Sequence, residues 1–272
     1  MQTIFLKLGG SAITDKTRPA TPKPDVIRDA ARAVFQARTQ LAGELRILLG
    51  HGSGSFGHYT AQKWGFGEGD ATSPNARWRA YAETGASAAR LNRLVTDIFL
   101  EENVPVVSIQ PSASAHTRDG ELIHLETETI HTALNHNLIP LIYGDVAFDE
   151  TRDMAIVSTD ALFAYLAPIL QPTRIVYTTA VNGIYTADPN KHPDAQLLRE
   201  ITPASFQALG AHVGASHGYD VTGGMLDKLA RSVALVKKFP ALEIFVIAAQ
   251  FRAIVNALTV THPTYGTHIT AD

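Results

Sequence analysis

The 272-residue sequence contains no cysteine. That absence removes disulfide scaffolds, cysteine-ligated zinc, iron–sulfur clusters and thiol nucleophiles together. An excess of charge of one sign is missing too, since 23 Lys and Arg stand against 26 Asp and Glu for a formal charge of −3 at pH 7. Without a basic face there is no electrostatic footprint for nucleic acid or anionic lipid, so the reading is no nucleic acid and no membrane partner. No apolar run approaches the ~18 residues of a membrane-spanning helix, and Met1 to Lys7 carries no basic region ahead of an apolar stretch. Aromatic residues make up only 8% and charged residues 18%, but the apolar share of 45% is ordinary for a globular chain. The expectation is a soluble, cytoplasmic protein with a sizeable core, outside the disordered, collagenous and coiled-coil classes.

What is present is a recurrence of short Ile-, Val- and Leu-rich runs: Thr3 to Leu8, Leu45 to Leu49, Val104 to Ile109, Leu138 to Tyr143, Ile175 to Thr178 and Ile244 to Ile247. Near-continuous apolar runs suit strands covered on both faces. Helix patterns lie between them. One opens at Pro24-Asp25 with Asp25 as N-cap, one runs from Arg77 to Glu101 with Leu91, Leu94, Val95 and Ile98 on one face, one starts at Ser158-Thr159-Asp160, and one starts at Gly224 and ends before Pro240. Alternating strands and helices predict an α/β fold with a mainly parallel, doubly wound central sheet. His116 to His124 and Val146 to Ile156 read as surface hairpins around polar turns. With no linker or repeat, residues 1–272 read as a single unit of two lobes on one continuous sheet.

Two strand ends carry glycine. Lys7-Leu8-Gly9-Gly10-Ser11 runs on to Lys16, and glycines at a strand's carboxyl end let backbone amides close on an anion while Lys7 and Lys16 supply charge. On those residues alone the segment reads equally as a tight turn with two solvated lysines. Gly50-His51-Gly52-Ser53-Gly54-Ser55-Phe56-Gly57-His58 satisfies G-x-G-x-x-G through Gly52, Gly54 and Gly57, the pattern of a dinucleotide site. Such a site also wants an acidic residue at the end of the next strand, ~20 residues on, whereas Glu68 and Asp70 lie in a glycine-rich loop. Two glycine-rich strand ends in succession suggest two anionic groups between facing loops. Later, Ser158-Thr159-Asp160 caps a helix, Thr179-Ala180-Val181-Asn182-Gly183-Ile184-Tyr185 follows a strand, and Gly223-Gly224 leads into a helix with Lys228 one turn inside. Each, taken singly, also reads as a cap or a turn.

The order of these segments resembles the amino acid kinase superfamily over essentially the whole chain. Gly9 to Lys16 and Gly54-Ser55-Phe56-Gly57-His58 are similar to its isopentenyl phosphate kinase branch. The resemblance implies an open αβα sandwich with an acceptor lobe at about 1–170 and an ATP lobe at about 171–272. It implies ATP-dependent phosphorylation of isopentenyl phosphate to the diphosphate, with ATP and Mg²⁺ as cofactors and a homodimer as the assembly. Carried over, Lys7, Gly9, Gly10 and Ser11 line the transferred phosphoryl group, Lys16 stabilises its charge and Asp160 orients the lysines. Gly52, Gly54, Gly57 and His58 hold the acceptor phosphate, and Tyr185, Gly224 and Lys228 serve ATP. Three positions depart from the pattern: Ser53 replaces a glycine, Ala180 replaces a carboxylate near the nucleotide, and Thr159 stands where glycine is common. Ser53 and Thr159 are placed with the acceptor, and Ser53 and Ala180 with the nucleotide.

Transfer between two phosphates needs no protein nucleophile, only alignment and neutralised charge, which Lys7, Lys16 and Lys228 supply. The remaining histidines show no metal-ligand spacing, and no metal ligand is named. Trp78 and Tyr81 read as helix core, or as a wall of the acceptor site. The alternatives are a kinase for a phosphonate such as fosfomycin, or for a carboxylate or carbamate, and a non-catalytic small-molecule sensor.

Overall fold

The computed structural model describes residues 2–64, 74–213 and 223–272. In chain order its elements are β1 (Gln2–Leu8), α1 (Gly10–Ile13), α2 (Pro24–Gln40), β2 (Leu45–His51), α3 (Gly54–Lys63), α4 (Pro74–Glu101), β3 (Val106–Ser108), β4 (His116–Arg118) and β5 (Glu121–His124). Then come α5 (Glu128–Asn135), β6 (Ile139–Tyr143), β7 (Asp145–Asp149), β8 (Asp153–Val157), α6 (Thr159–Leu170), β9 (Arg174–Thr179), β10 (Ile184–Tyr185), β11 (Leu197–Leu198) and β12 (Glu200–Ile201). The chain closes with α7 (Pro203–Val213), α8 (Gly223–Lys238), β13 (Glu243–Ala248), α9 (Phe251–Thr259) and β14 (Thr267–Ile269).

Eight strands form the central sheet in the order β12-β14-β13-β9-β1-β2-β6-β3. Every pairing in it is parallel except β13 with β14. The parallel α/β sheet read from the apolar runs is therefore present: five of the runs form strands buried on both faces, while Val104 to Ile109 supplies the partly exposed edge strand β3. Strand parity sorts the side chains. Ile4, Leu6 and Leu8 of β1 face a cluster with Ile27 and Val34 of α2, Leu91 and Val95 of α4 and Ile254 of α9. Phe5 faces the other way, into a cluster with Leu162 and Phe163 of α6 and Val233 of α8. Side chains alternate along a strand, so Lys7 leaves β1 on the α6 and α8 side.

From β1 the chain builds outward through β2, β6 and β3, and from β9 it builds the other way through β13. The carboxyl ends of β1 and β9 thus flank a switch in winding direction, where open α/β sheets bind ligands.

Several local expectations change. Asp25 does not cap α2: Lys23 takes the N-cap position without a side-chain bond, Pro24 begins the helix, and Asp25 lies in the first turn. Proline suits that position because its missing N–H needs no partner there. Leu94 is 39% exposed while Leu91, Val95 and Ile98 are buried, since it falls just past the edge of the buried stripe. The hairpins around β4–β5 and β7–β8 exist, but β4 pairs with β7 in parallel, making one four-stranded sheet. Trp78 is 43% exposed and therefore not core; it meets Tyr81 and Phe148 in an aromatic cluster.

Candidate functional site

The glycine loops after β1 and β2 meet backbone to backbone. A Cβ on Gly10 would lie 2.6 Å from the Gly54 nitrogen, and one on Gly52 would lie 3.0 Å from the Gly10 nitrogen. Only hydrogen fits at this approach. Gly54 also has φ +51°, in the left-handed region that glycine enters without strain. Gly9 N–H donates to the Thr178 carbonyl at 3.1 Å, which ties the first loop to the end of β9. The amides of Gly10, Ser11, Ser53 and Gly54 have no acceptor among the described residues. Four unclaimed N–H groups on two facing loops are donors of the kind that bind phosphate oxygens.

Behind the first loop lies a buried ion group. Lys7 Nζ is 2.5 Å from Asp160 Oδ2, and Lys228 Nζ is 3.0 Å from Oδ1 and 3.2 Å from Oδ2. Both ammonium groups stand over the buried Tyr177 ring, at 5.9 and 4.5 Å from its centroid. β1, α6 and α8 supply the members, and the Ser158 hydroxyl caps α6 by accepting from Ala161 N–H at 3.1 Å. Burial lowers the Lys7 ammonium to about 8, with the Lys228 charge acting in the same sense and the Asp160 carboxylate opposing both. Burial pushes the Asp160 carboxyl up, but the charges and hydrogen bonds of the two lysines prevail and hold it at about 2. Two cations share one anion here, leaving a net positive charge in a desolvated place, which favours a further anion.

Beside the second loop, Ser53, Gly57 and His58 line a cavity together with Ala61, Ala88 and Ile156, and Thr84 and Asp145 add polar groups to it. The His58 ring is held below the usual imidazole range by desolvation and then by the Lys16 charge. Lys16 itself is exposed, on a loop whose backbone carbonyl accepts from the Tyr59 hydroxyl at 3.1 Å. The Thr84 hydroxyl is buried with no hydrogen-bond partner among the described residues. Burial raises the Asp145 carboxyl, against hydrogen bonds from Ser112 and the Val146 amide.

The fold thus brings Lys7, Gly9, Gly10, Ser11, Gly52, Ser53, Gly54, Asp160 and Lys228 to one end of the sheet, with Gly57 and His58 beside them. The Ser53 side chain lies against Gly57, whose added Cβ would be 2.4 Å from Ser53 Oγ, so it does not stand between the loops. Thr159 is placed apart from the cavity: it is buried, and its hydroxyl donates to the His51 carbonyl at 2.6 Å beneath the loop. Ala180 is exposed just past β9, Tyr185 pairs in β10, and Gly224 lies in the first turn of α8. The glycine-rich loop 65–70 and Asp220 to Thr222 lie outside the described residues. Among the described residues no group of three or more His, Asp or Glu is arranged for a metal ion.

Sequence reasoning passed over the struts. Thr14 Oγ1 donates to the Gly10 carbonyl at 2.6 Å and accepts from Ser55 N–H at 2.9 Å, while Ser55 takes the Thr21 and Ala20 amides at 3.1 and 3.2 Å. These bonds lock the Lys16-bearing loop to α3. Apart from the Thr14–Gly10 bond, which spans four residues, their partners lie tens of residues apart, and no spacing rule reaches that far. Asp145, two residues past the strand end read at Tyr143, did carry a readable signal.

The family described as "Amino acid kinase family" matches residues 2–247. The isopentenyl phosphate kinase of Methanothermobacter thermautotrophicus is 35% identical over 86% of this chain and 87% of its own length. That of Methanocaldococcus jannaschii is 30% identical over 83% of this chain and 84% of its own. A solved isopentenyl phosphate kinase, 31% identical, superposes with a TM-score of 0.82 over 98% of this chain and all of that one.

Proposed function

The chain belongs to the amino acid kinase family, and on that premise we propose that it transfers the terminal phosphoryl group of ATP to isopentenyl phosphate, giving isopentenyl diphosphate. The observation that carries this reading is the pair of facing glycine loops, with unclaimed amides between them, set against the Lys7–Asp160–Lys228 group on one side and His58 on the other.

In-line transfer between two phosphates requires the reactants held end to end and the charge on the equatorial oxygens neutralised. Lys7, at the carboxyl end of the central strand, supplies charge where the loops meet, and Asp160 fixes its position. The Gly10, Ser11 and Gly54 amides supply donors to the moving group. Lys228 belongs to the nucleotide side with Gly224, Tyr185 and Ala180, in the lobe from about residue 171, and the acceptor occupies the lobe before it. Gly52, Ser53, Gly57 and His58 hold the acceptor phosphate, and Lys16 approaches from the facing loop. Mg²⁺ supplies charge neutralisation on ATP oxygens. Both Asp160 oxygens are already engaged by lysine ammonium groups, so Asp160 is not open to the ion, which when bound would be held chiefly by ATP oxygens and water, as suits a cation that dehydrates reluctantly. A homodimer and a cytoplasmic location complete the proposal.

His58 sets this reading apart from the carboxylate and carbamate alternatives, because the Gly54-Ser55-Phe56-Gly57-His58 pattern is similar to the isopentenyl phosphate kinase branch and is not usual in the carboxylate kinases of the superfamily. A hydrogen bond to a charged group contributes about 1.5–3 kcal/mol, so His58→Ala should weaken isopentenyl phosphate by roughly one to two orders of magnitude. ATP affinity should be nearly unchanged. Calorimetric titration of both ligands, with the variant's melting temperature alongside, checks this. Equal weakening of both ligands together with a lowered Tm would make His58 a structural residue.

A further inference from the structure

His51, the last residue of β2, is fully buried and belongs to no step above. Parity along β2 turns it away from Lys7, toward α4. There its ring stacks on Tyr143 with centroids 5.5 Å apart and planes 8° off parallel. Nε2 lies 3.2 Å from Asn92 Nδ2, and Nδ1 lies 3.1 Å from the Gly52 carbonyl oxygen. The Ser108 hydroxyl donates to Asn92 Oδ1, which turns the amide nitrogen toward the ring. An amide nitrogen only donates, so Nε2 accepts and the ring proton sits on Nδ1, where it donates to Gly52. Burial lowers the His51 pKa to about 4, so the ring is neutral in ordinary buffers and one nitrogen remains free to accept.

The bond has a geometric consequence at the loop. In a trans peptide the carbonyl and the following N–H point in opposite directions, and no cis peptide occurs among the described residues. Drawing the Gly52 carbonyl to the ring therefore aims the Ser53 N–H away from it. That amide is one of the four without an acceptor. The remaining Gly52 group is also committed, since its N–H donates to the Leu8 carbonyl at 3.0 Å. The His51 backbone carbonyl is fixed by donation from Thr159 Oγ1 and from the Gly144 amide at 3.0 Å. A glycine is otherwise the residue freest to turn its peptide plane, so a loop built on Gly52 needs this external hold.

We propose that His51 is a positioning residue: a Ser108–Asn92–His51 relay locks the Gly52–Ser53 peptide so that the Ser53 amide is presented to the acceptor phosphate. The proposal rests on the phosphate-acceptor reading above and deepens it.

Asparagine places its amide nitrogen near the position of histidine Nδ1, so His51→Asn retains the donor, whereas His51→Leu fills the site without it. The test is steady-state kinetics of both variants against the wild type, with Tm for each, and ¹⁵N NMR of the wild-type ring. We expect His51→Leu to raise the KM for isopentenyl phosphate about tenfold or more, the scale of one lost bond to a charged group, with the KM for ATP nearly unchanged. His51→Asn should recover most of that loss even if both variants melt at lower temperature. The wild-type ring should be protonated at Nδ1 and bare at Nε2. A ring protonated at Nε2 overturns the proposal whatever the substrate, and so does a His51→Asn variant as impaired in acceptor KM as His51→Leu. A wild type that ignores isopentenyl phosphate while keeping the Nδ1 proton counts against the substrate assignment alone, and the same comparison then runs on the acceptor it does use.

Discussion

Lys7→Ala should lower kcat by roughly 10²–10³-fold, the loss that follows removal of one preorganised donor from a transferring group. The KM values for ATP and acceptor should move far less. Lys7 lies behind the first glycine loop, buried and bonded to Asp160 at 2.5 Å, so its charge is placed before substrate arrives and little reorganisation is needed at transfer. Its lowered pKa gives a second signature. Burial and the neighbouring Lys228 leave the ammonium at about 8 in the ligand-free protein, and only the charged form neutralises phosphate oxygens. The profile of kcat/KM should therefore fall as pH rises through about 8. In the ternary complex added phosphate charge favours the ammonium, so the corresponding limb in kcat should lie higher. Lys7→Ala should abolish the limb along with most of the rate. A variant with unaltered kcat would remove Lys7 from the transfer step.

Asp160→Asn should destabilise the fold and the reaction together. Removing the shared anion leaves two buried ammonium groups facing each other, and loss of one partner from a buried ion group costs about 3–5 kcal/mol. The carboxyl's pKa is depressed, to about 2 from the ordinary 3.8. The stability it contributes is thus present above 3.8 and lost as pH falls through about 2. Wild type and variant should differ widely in Tm at neutral pH and converge toward pH 2. ATP should raise the variant's Tm more than the wild type's, because its phosphates replace the missing counter-charge. Activity should fall as well, since Lys7 then loses both its orientation and the carboxylate that opposes its deprotonation. Equal Tm at neutral pH would show that the three groups are not coupled.

Much of this site was legible because its main features are local. A glycine pair at the end of an apolar strand announces a close backbone approach, and the loops do close to within a Cβ of each other. Ser158 ahead of an apolar helix announces a cap, and it caps. The ion group was legible only in its members: Lys7 and Asp160 are 153 residues apart and meet because strand parity and the β1–β9 pairing place them so. The burial that shifts Lys7 has no signature in the residues around it. Thr159 reads as a site residue by position, yet its β-branched side chain packs under Gly50 and braces the loop from below. His51 stands in plain view within the glycine motif. Its meaning depends on Asn92, which lies on a helix facing the other side of the sheet.

The identity of the acceptor is read from ADP release, coupled to an optical readout, with isopentenyl phosphate, dimethylallyl phosphate, fosfomycin, glutamate and carbamate offered separately with ATP and Mg²⁺. Release should be rapid with isopentenyl phosphate and only at background with glutamate and carbamate. Turnover confined to the carboxylate or carbamate acceptors would contradict that expectation.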